Sequence, residues 1–375
     1  MRKLNIIHVI SSHHLTGAAA PALSLSLALK QLGHNVFFFC SPLTGNLASH
    51  AGKLGINAET SLFLQRGINL VKTMRDILKL SKEIDIRKID IIHCHLSNDH
   101  WIAKFSSSLS KCKPKIVRTV HNQKSAQKRI GYKILYEKNC DAITTVSLFH
   151  KSIIVENLTI DPDKVKVIPG SVDTGRFNSS LSSVKIRQEF SISQASPVIG
   201  MVARFKPGRG HDLLLKVLPF IKARYKDVKL VFAGEGETLP VIRKMAGESG
   251  LGENVIFAGY RKDDLPCLYA AMDVFILLAE GNDGSCRAAL EAMACGKPVA
   301  AFDFGSIREI ITDGVSGLIS ANQDVEDLKS KLLILLGDKK LRESMGRKAR
   351  LAVEKYFDSG SEARSYEKLY MDLLA

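Results

Sequence analysis

Paired cysteines are missing from this chain. Its seven cysteines (Cys40, Cys94, Cys112, Cys140, Cys267, Cys286 and Cys295) are scattered, with no Cys-x-x-Cys spacing. That leaves no basis for a disulfide framework or a cysteine-rich zinc site and points to a reducing compartment, the cytoplasm. No apolar run is long enough to cross a bilayer. The N-terminal stretch mimics a signal peptide briefly, but Asn5 and His8 break its apolar run and Ser11-Ser-His-His14 follows, so it reads as a first strand. No helix-turn-helix or aromatic-basic motif stands out, and nucleic acid is not expected as a partner. Acid is in deficit too: 38 acidic side chains face 53 basic ones, a formal +15. The surplus favours anionic partners such as nucleotides or phospholipid headgroups without choosing among them.

What is present is an alternation of short apolar runs and helical periodicities. The chain, 375 residues long and 45% apolar, is comfortable for two domains. In the first half Leu4–Ile10, Val36–Cys40, Asp90–Cys94, Ile116–Val120, Ala142–Val146 and Val165–Pro169 read as strands, with helices at Pro21–Gln31 and Leu70–Lys82. Residues 178–196 are serine-rich and poor in large apolar side chains, which places a domain junction there. The same grammar then restarts with strands at Val198–Ala203, Lys229–Ala233, Val255–Ala258, Val274–Leu278 and Pro298–Phe302, a helix at Asp212–Tyr225 and a tail helix at Ser361–Leu374. The expected organisation is α/β, with domains at 1–180 and 181–355 and a helix at 356–375 returning to the first.

Asp283-Gly-Ser-Cys-Arg-Ala-Ala-Leu-Glu291-Ala-Met-Ala-Cys-Gly296 is the most informative segment. Asp283 suits a helix cap and Gly296 a helix stop. The two acids, eight residues apart on a helix, differ by only about 80° in direction. The N–H groups of Gly284, Ser285 and Cys286 would form the positive helix end, a seat for phosphate oxygens, with the acids holding sugar hydroxyls beside it. Asp283, Arg287 and Glu291 at i, i+4, i+8 also fit a surface charge ladder. The buried strands on either side favour a βαβ unit with a ligand edge instead.

An ordered series of such segments, over nearly the whole length, resembles the family-four glycosyltransferases, retaining enzymes of the GT-B architecture. His8-Val-Ile-Ser-Ser-His-His-Leu-Thr-Gly17 is similar to the family's first glycine loop, near the donor phosphates and the acceptor. Val117-Arg-Thr-Val-His121 resembles the strand whose final histidine reaches the donor sugar, and Val167-Ile-Pro-Gly170-Ser-Val-Asp173 a turn usually written Pro-Asn-Gly-Val-Asp. Gly200-Met-Val-Ala-Arg204-Phe-Lys-Pro-Gly-Arg209-Gly210 resembles the strand and loop whose two cations grip the donor diphosphate, with Arg209 where lysine is usual. The exchange keeps the charge and adds a bidentate fork. Phe232-Ala-Gly234-Glu-Gly236 and Ile256-Phe-Ala-Gly259-Tyr260 look like the loops around the nucleotide base. Asp283 and Glu291 match the Glu-x₇-Glu signature, which implies Glu291 on the ribose hydroxyls and Asp283 on the transferred sugar. Glu280 lies too far from Glu291 to fit that spacing.

The resemblance implies two Rossmann-like doubly wound domains facing across a cleft, and transfer of a sugar from a nucleoside-diphosphate sugar to an acceptor hydroxyl. Its candidate catalytic residues are Arg204, Arg209, Asp283 and His121. Its candidate donor-binding residues are Gly17, Gly234, Gly259, Gly284, Ser285, Cys286, Arg287 and Glu291. No metal or other cofactor is expected where arginines stabilise the leaving group. His93 and His95 alternate on a strand end with His100 nearby, but no acid or cysteine completes a metal set. Lys111, Lys113, Lys115, Arg118, Lys124, Lys128, Arg129, Lys133 and Lys138 make a basic segment, with a helix expected over 123–138 carrying Ile130 and Ile134 on one side. Such a helix suits peripheral contact with an anionic membrane. With the fold, it points to a lipid-linked or lipopolysaccharide-type glycan acceptor at the inner face of the cell membrane. A nucleotide-sugar epimerase of the same architecture and a non-catalytic nucleotide-sugar-binding relative are the alternatives.

Overall fold

Two units divide the chain in the computed structural model: residues 1–170 with 359–375, and residues 171–358. The structure describes residues 2–375 except Leu43, Thr44, Arg66, Ile68 and 122–125; of Asp283, Gly284 and Ser285 it describes the helix they belong to but not their side chains.

The first unit is built on strands β1 (Asn5–Ile10), β2 (Asn35–Cys40), β3 (Ala58–Glu59), β4 (Ile91–Cys94), β5 (Lys115–Thr119), β6 (Ala142–Thr145) and β7 (Val165–Val167). They form one parallel sheet in the order β3-β2-β1-β4-β5-β6-β7. Runs such as Ile6-Ile7 and Ile91-Ile92 are buried because helices cover both faces, which is why these strands are near-continuously apolar. The second unit carries β8 (Val198–Val202), β9 (Lys229–Ala233), β10 (Val255–Gly259), β11 (Val274–Leu277), β12 (Val299–Phe302) and β13 (Gly317–Ser320), ordered β10-β9-β8-β11-β12-β13. Both sheets reverse direction of growth beside their first strand, at β1/β4 and at β8/β11. In open α/β sheets ligands bind outside the strand C-termini at such points.

Helix boundaries follow local chemistry. Asn69 opens the helix Leu70–Arg87 by accepting from the Lys72 N–H at 3.1 Å, and Asp324 opens Val325–Gly337 by accepting from the Asp327 N–H at 2.9 Å. Gly296, at φ 71°, stops the helix Asp283–Ala294 in the left-handed conformation that favours glycine.

The serine-rich stretch is not a linker. Phe177, Ile186 and Ile192 are buried in the core of the second unit, and Val184–Glu189 is a helix. The unit boundary therefore falls at Gly170/Ser171, because a few well-spaced apolar residues suffice to anchor a polar segment. The tail helix, Ser359–Leu374, belongs to the first unit, where Ala363, Tyr366, Leu369 and Tyr370 pack with Leu4, Leu25, Leu29 and Ile91. The helix expected over 123–138 spans Ile130–Lys138, and part of that expectation lies outside the described residues. Arg118 is not part of a basic surface: it is buried on β5, 3.6 Å from Asp99.

Candidate functional site

At the C-terminal ends of β8, β9 and β10 the second unit opens a pocket of about 400 Å³, a size suited to a small molecule. Arg204, Gly234, Arg287 and Glu291 line it together, with Glu235, Tyr260 and Arg261. Residues far apart in sequence thus meet where the strand order places them. Gly234 has φ 141°, and a Cβ there would come 2.1 Å from the Ala203 carbonyl oxygen. Its N–H donates to the Gly259 carbonyl at 2.8 Å. These two glycines therefore join the loops that wall the pocket, and Gly234 is required for their close approach.

Glu291 is a pocket carboxylate held in place by a buried side chain. The buried Tyr269 hydroxyl donates to its Oε2 at 2.9 Å, which leaves Oε1 without a described protein partner. Burial pushes the carboxyl upward, opposed by the Tyr269 hydrogen bond and by the charges of Arg287 and Arg176. Arg287 stands one helical turn before it and also lines the pocket, so this ladder faces a cavity. Arg261 is clamped by Glu189 through two bonds of 2.7 Å and by Asp264, and these bonds raise its pKa. Sequence reasoning missed Tyr269, which reads as an ordinary core aromatic, and Arg261, whose anchors come from separate segments.

Arg204 and Arg209 lie on the loop between β8 and the helix His211–Arg224. Arg204 is exposed and Arg209 half-buried, and neither makes a hydrogen bond or ion pair with a described side chain. Burial lowers the pKa of Arg209, and the like charge of Arg204 lowers it further, with Glu280 in opposition. Two cations held within reach of each other, one of them partly desolvated, make a site for an anion.

The helix Asp283–Ala294 takes in Asp283 as its first residue, where the sequence suggested a cap just outside the helix. The Cys286 N–H already donates to the Asn282 carbonyl at 2.8 Å, and the buried Cys286 Sγ lies 3.3 Å from Ser306 Oγ. Cys286 thus packs within the fold and does not supply a free donor. The sugar contact expected of Asp283 involves a side chain outside those described, while the backbone N–H groups of Gly284 and Ser285 fall in the first turn of the helix.

Gly17 and His121 belong to the first unit. Gly17 is exposed, and a Cβ there would meet nothing within 4 Å, so the fold itself does not require glycine at this position. His121 follows β5 and ends a chain of imidazoles: His8 Nδ1 lies 3.1 Å from His95 Nε2, and His95 Nδ1 lies 3.2 Å from His121 Nε2. His93 joins by stacking on His95 at 4.5 Å, and is held by the Tyr370 hydroxyl at 2.7 Å and Thr119 Oγ1 at 2.6 Å. Burial holds His8 down to about 3 and depresses His93 and His95, whose charges would also repel one another. The ligand atoms of His8, His93 and His95 lie within 4.8 Å of one another. Hydrogen bonds occupy both nitrogens of His93 and His95, and rings stacked this way do not point radially at a common centre. His8, the residue that completes the cluster, escaped sequence reasoning because it lies on a different strand from the other two.

Residues 15–176 match the family model described as Glycosyltransferase Family 4, and residues 182–352 match Glycosyl transferases group 1. A GDP-mannose-dependent alpha-(1-6)-phosphatidylinositol monomannoside mannosyltransferase of Mycolicibacterium smegmatis is 29% identical over 232 residues, covering 60% of this chain and 58% of that one. A UDP-Gal:alpha-D-GlcNAc-diphosphoundecaprenol alpha-1,3-galactosyltransferase of Escherichia coli is 24% identical, covering 99% of this chain and 98% of that one. Among solved structures, a glycosyltransferase from Rickettsia africae superimposes with a TM-score of 0.87 at 21% identity, covering 100% of this chain and 99% of that one. That likeness is one of fold, the two parallel-sheet α/β units of the GT-B class.

Proposed function

The chain belongs to the family-four glycosyltransferases, and from this premise we propose that it moves a sugar from a nucleoside-diphosphate sugar to an acceptor hydroxyl with retention at the anomeric carbon. The observation that carries the reading is the placement of Arg204, Arg287 and Glu291 in one pocket with Arg209 beside Arg204. The pocket takes the nucleoside, with Glu291 Oε1 accepting from a ribose hydroxyl while Tyr269 holds Oε2. Arg204 and Arg209 take the diphosphate. As the bond from the anomeric carbon to the phosphate oxygen breaks, its electron pair stays on the diphosphate, and the two guanidiniums stabilise that charge where it develops. The acceptor oxygen bonds to the same face of the sugar and its proton passes to the departing phosphate oxygen. Asp283 contacts the transferred sugar in this scheme.

The relatives named above act on phosphatidylinositol mannoside and on a diphosphoundecaprenol-linked sugar. They support a lipid-linked acceptor for this chain; cell-envelope or lipopolysaccharide synthesis at the cytoplasmic face of the membrane is the setting we propose for it. Among the described residues no helix is long and apolar enough to cross a membrane.

A thermal-shift panel of UDP, GDP, ADP and CMP derivatives identifies the base, and proton NMR of the product identifies the anomer. The expected result is stabilisation by one diphosphate family, lost in Glu291→Ala, and a product retaining the donor's anomeric configuration. Normal kinetics in both Glu291→Ala and Arg209→Ala would remove the site assignment. Conversion of the donor to an epimer without acceptor would replace transfer with epimerisation.

A further inference from the structure

The helix Leu70–Arg87 has two apolar sides. Ile77, Leu80 and Ile84 face the core of the first unit. Leu70, Val71, Met74, Leu78 and Ile86 do not, and stand between 51% and 80% exposed. At 100° per residue, positions 71, 75, 78, 82 and 86 fall on one stripe. Exposed Arg75 and Lys82 fill the places between the apolar residues, with Lys79 at the margin. The helix's acids are withdrawn from this stripe. Asp76 accepts from the N–H groups of Phe63 and Leu64 at 2.8 and 2.9 Å, Glu83 is paired with Arg87 at 2.7 Å, and Asp85 accepts from the Ser110 hydroxyl at 2.6 Å. The neighbouring helix Ser97–Leu109, packed on the same side of the sheet, adds Phe105 and Leu109 at 50% and 57% exposure.

Single exposed apolar side chains are ordinary, but a contiguous stripe marks an interaction surface. The cations choose the partner. A second copy of the chain on this face would set positive against positive, and an uncharged protein surface would leave the cations unused. Apolar side chains interleaved with basic ones are what a helix needs to lie in a lipid interface, the former entering the acyl boundary and the latter meeting phosphate. We propose that this outer face of Leu70–Arg87 docks the chain on an anionic phospholipid surface. The purpose of such docking, access to a lipid-linked acceptor, rests on the function proposed above.

The test is co-sedimentation of the full chain at low salt with vesicles of phosphatidylglycerol in phosphatidylcholine, and with phosphatidylcholine alone. Binding is expected to be at least tenfold tighter to the anionic vesicles. The triple variant Val71→Ser, Met74→Ser, Leu78→Ser and the double variant Lys79→Glu, Lys82→Glu should each weaken it at least tenfold while melting as the parent does. Phe220→Ser with Val241→Ser, exposed apolar residues of the second unit, should bind as the parent does. Equal affinity for both vesicle types, absence of binding, or parental binding by the two helix variants overturns the proposal. Self-association that the helix variants abolish, without vesicle binding, overturns it in favour of a second copy. The assay contains no nucleotide sugar, so its failure leaves the transferase reading standing. Vesicle binding by a chain that transfers no sugar would leave the docking surface standing.

Discussion

Strands β1, β4 and β5 of the first unit bury His8, His93, Arg118 and Thr119. Strands β8, β11 and β12 hold the same places in the second sheet, yet their buried residues are aliphatic or aromatic apart from Gly200 and Met201. Ten of the eleven histidines fall in the first unit and only His211 in the second. One sheet plan thus supports two kinds of interior. In the first, buried polar groups must find partners: His93 bonds Thr119 and Tyr370, and Thr119 and Thr144 share the Tyr366 hydroxyl at 3.1 Å each. That network ties the tail helix to the sheet. In the second, an apolar interior leaves the charges at the strand ends, where they line the pocket. The teaching is that interior chemistry follows what each sheet must hold rather than the topology it shares.

The largest expected effect sharpens this contrast on the second unit. Arg209→Ala is expected to lower kcat by about 10²–10³-fold, as for loss of a group that stabilises developing charge. Its melting temperature should not fall, since the substitution relieves repulsion with Arg204. Turnover and melting measured on the same sample check both halves.

Next comes the tail. Tyr366→Ala together with Tyr370→Ala should destabilise the first unit by at least about 3–5 kcal/mol, the usual loss for emptying one large aromatic site. Trp101, the single tryptophan, lies in the first unit. Its fluorescence transition in urea should therefore separate from the far-ultraviolet circular dichroism transition, which reports both units. A single coincident transition would show that the two interiors do not unfold independently.

Acid is the third probe. A buried imidazole whose pKa is depressed to about 3, as for His8, contributes stability that is complete above about 6.5 and is lost as pH falls towards 3. At pH 5 one such group accounts for about 2 kcal/mol. His93, His95 and His100 act in the same direction. Asp99 opposes them: burial raises its carboxyl to about 7, against the pull of Arg118, so its protonation on acidification favours the fold. Four imidazoles outweigh one carboxyl, and the Trp101 transition should shift to lower urea between pH 7 and 5 more than the second unit's transition does.

The smallest effects come from two tyrosine hydroxyls. Tyr370→Phe removes a partner of His93, and Tyr269→Phe a partner of Glu291. Each should cost about 0.5–1.5 kcal/mol of stability. Only Tyr269→Phe should also weaken binding of the nucleoside diphosphate, which isothermal titration reads directly.

Most strands were legible because a strand buried on both faces must be an unbroken apolar run, as in Val274–Leu277 and Val299–Phe302. The helix Asp283–Ala294 was legible from its stop at Gly296, and its pocket face from the spacing of Arg287 and Glu291. The helix Leu70–Arg87 was legible on its inner side alone, since Ile77, Leu80 and Ile84 obey helical periodicity while the outer apolar stripe answers to no core. The boundary at Gly170/Ser171 was hidden by serines that read as a linker, although Phe177 and Ile192 already anchored the segment.

By itself the sequence determined the class of fold, the existence of two α/β units and the family, because periodicity and motif spacing are properties of neighbours along the chain. Only the tertiary structure decided that His8, His95 and His121 form one chain, that Tyr269 holds Glu291, and that Cys286 is spent inside the fold. Those pairings join segments that touch because β1, β4 and β5 lie side by side, and because the helix Asp283–Ala294 packs against the helices Leu265–Ala271 and Ile307–Ile310. Strand order is set by packing of the whole sheet, and no local spacing encodes it.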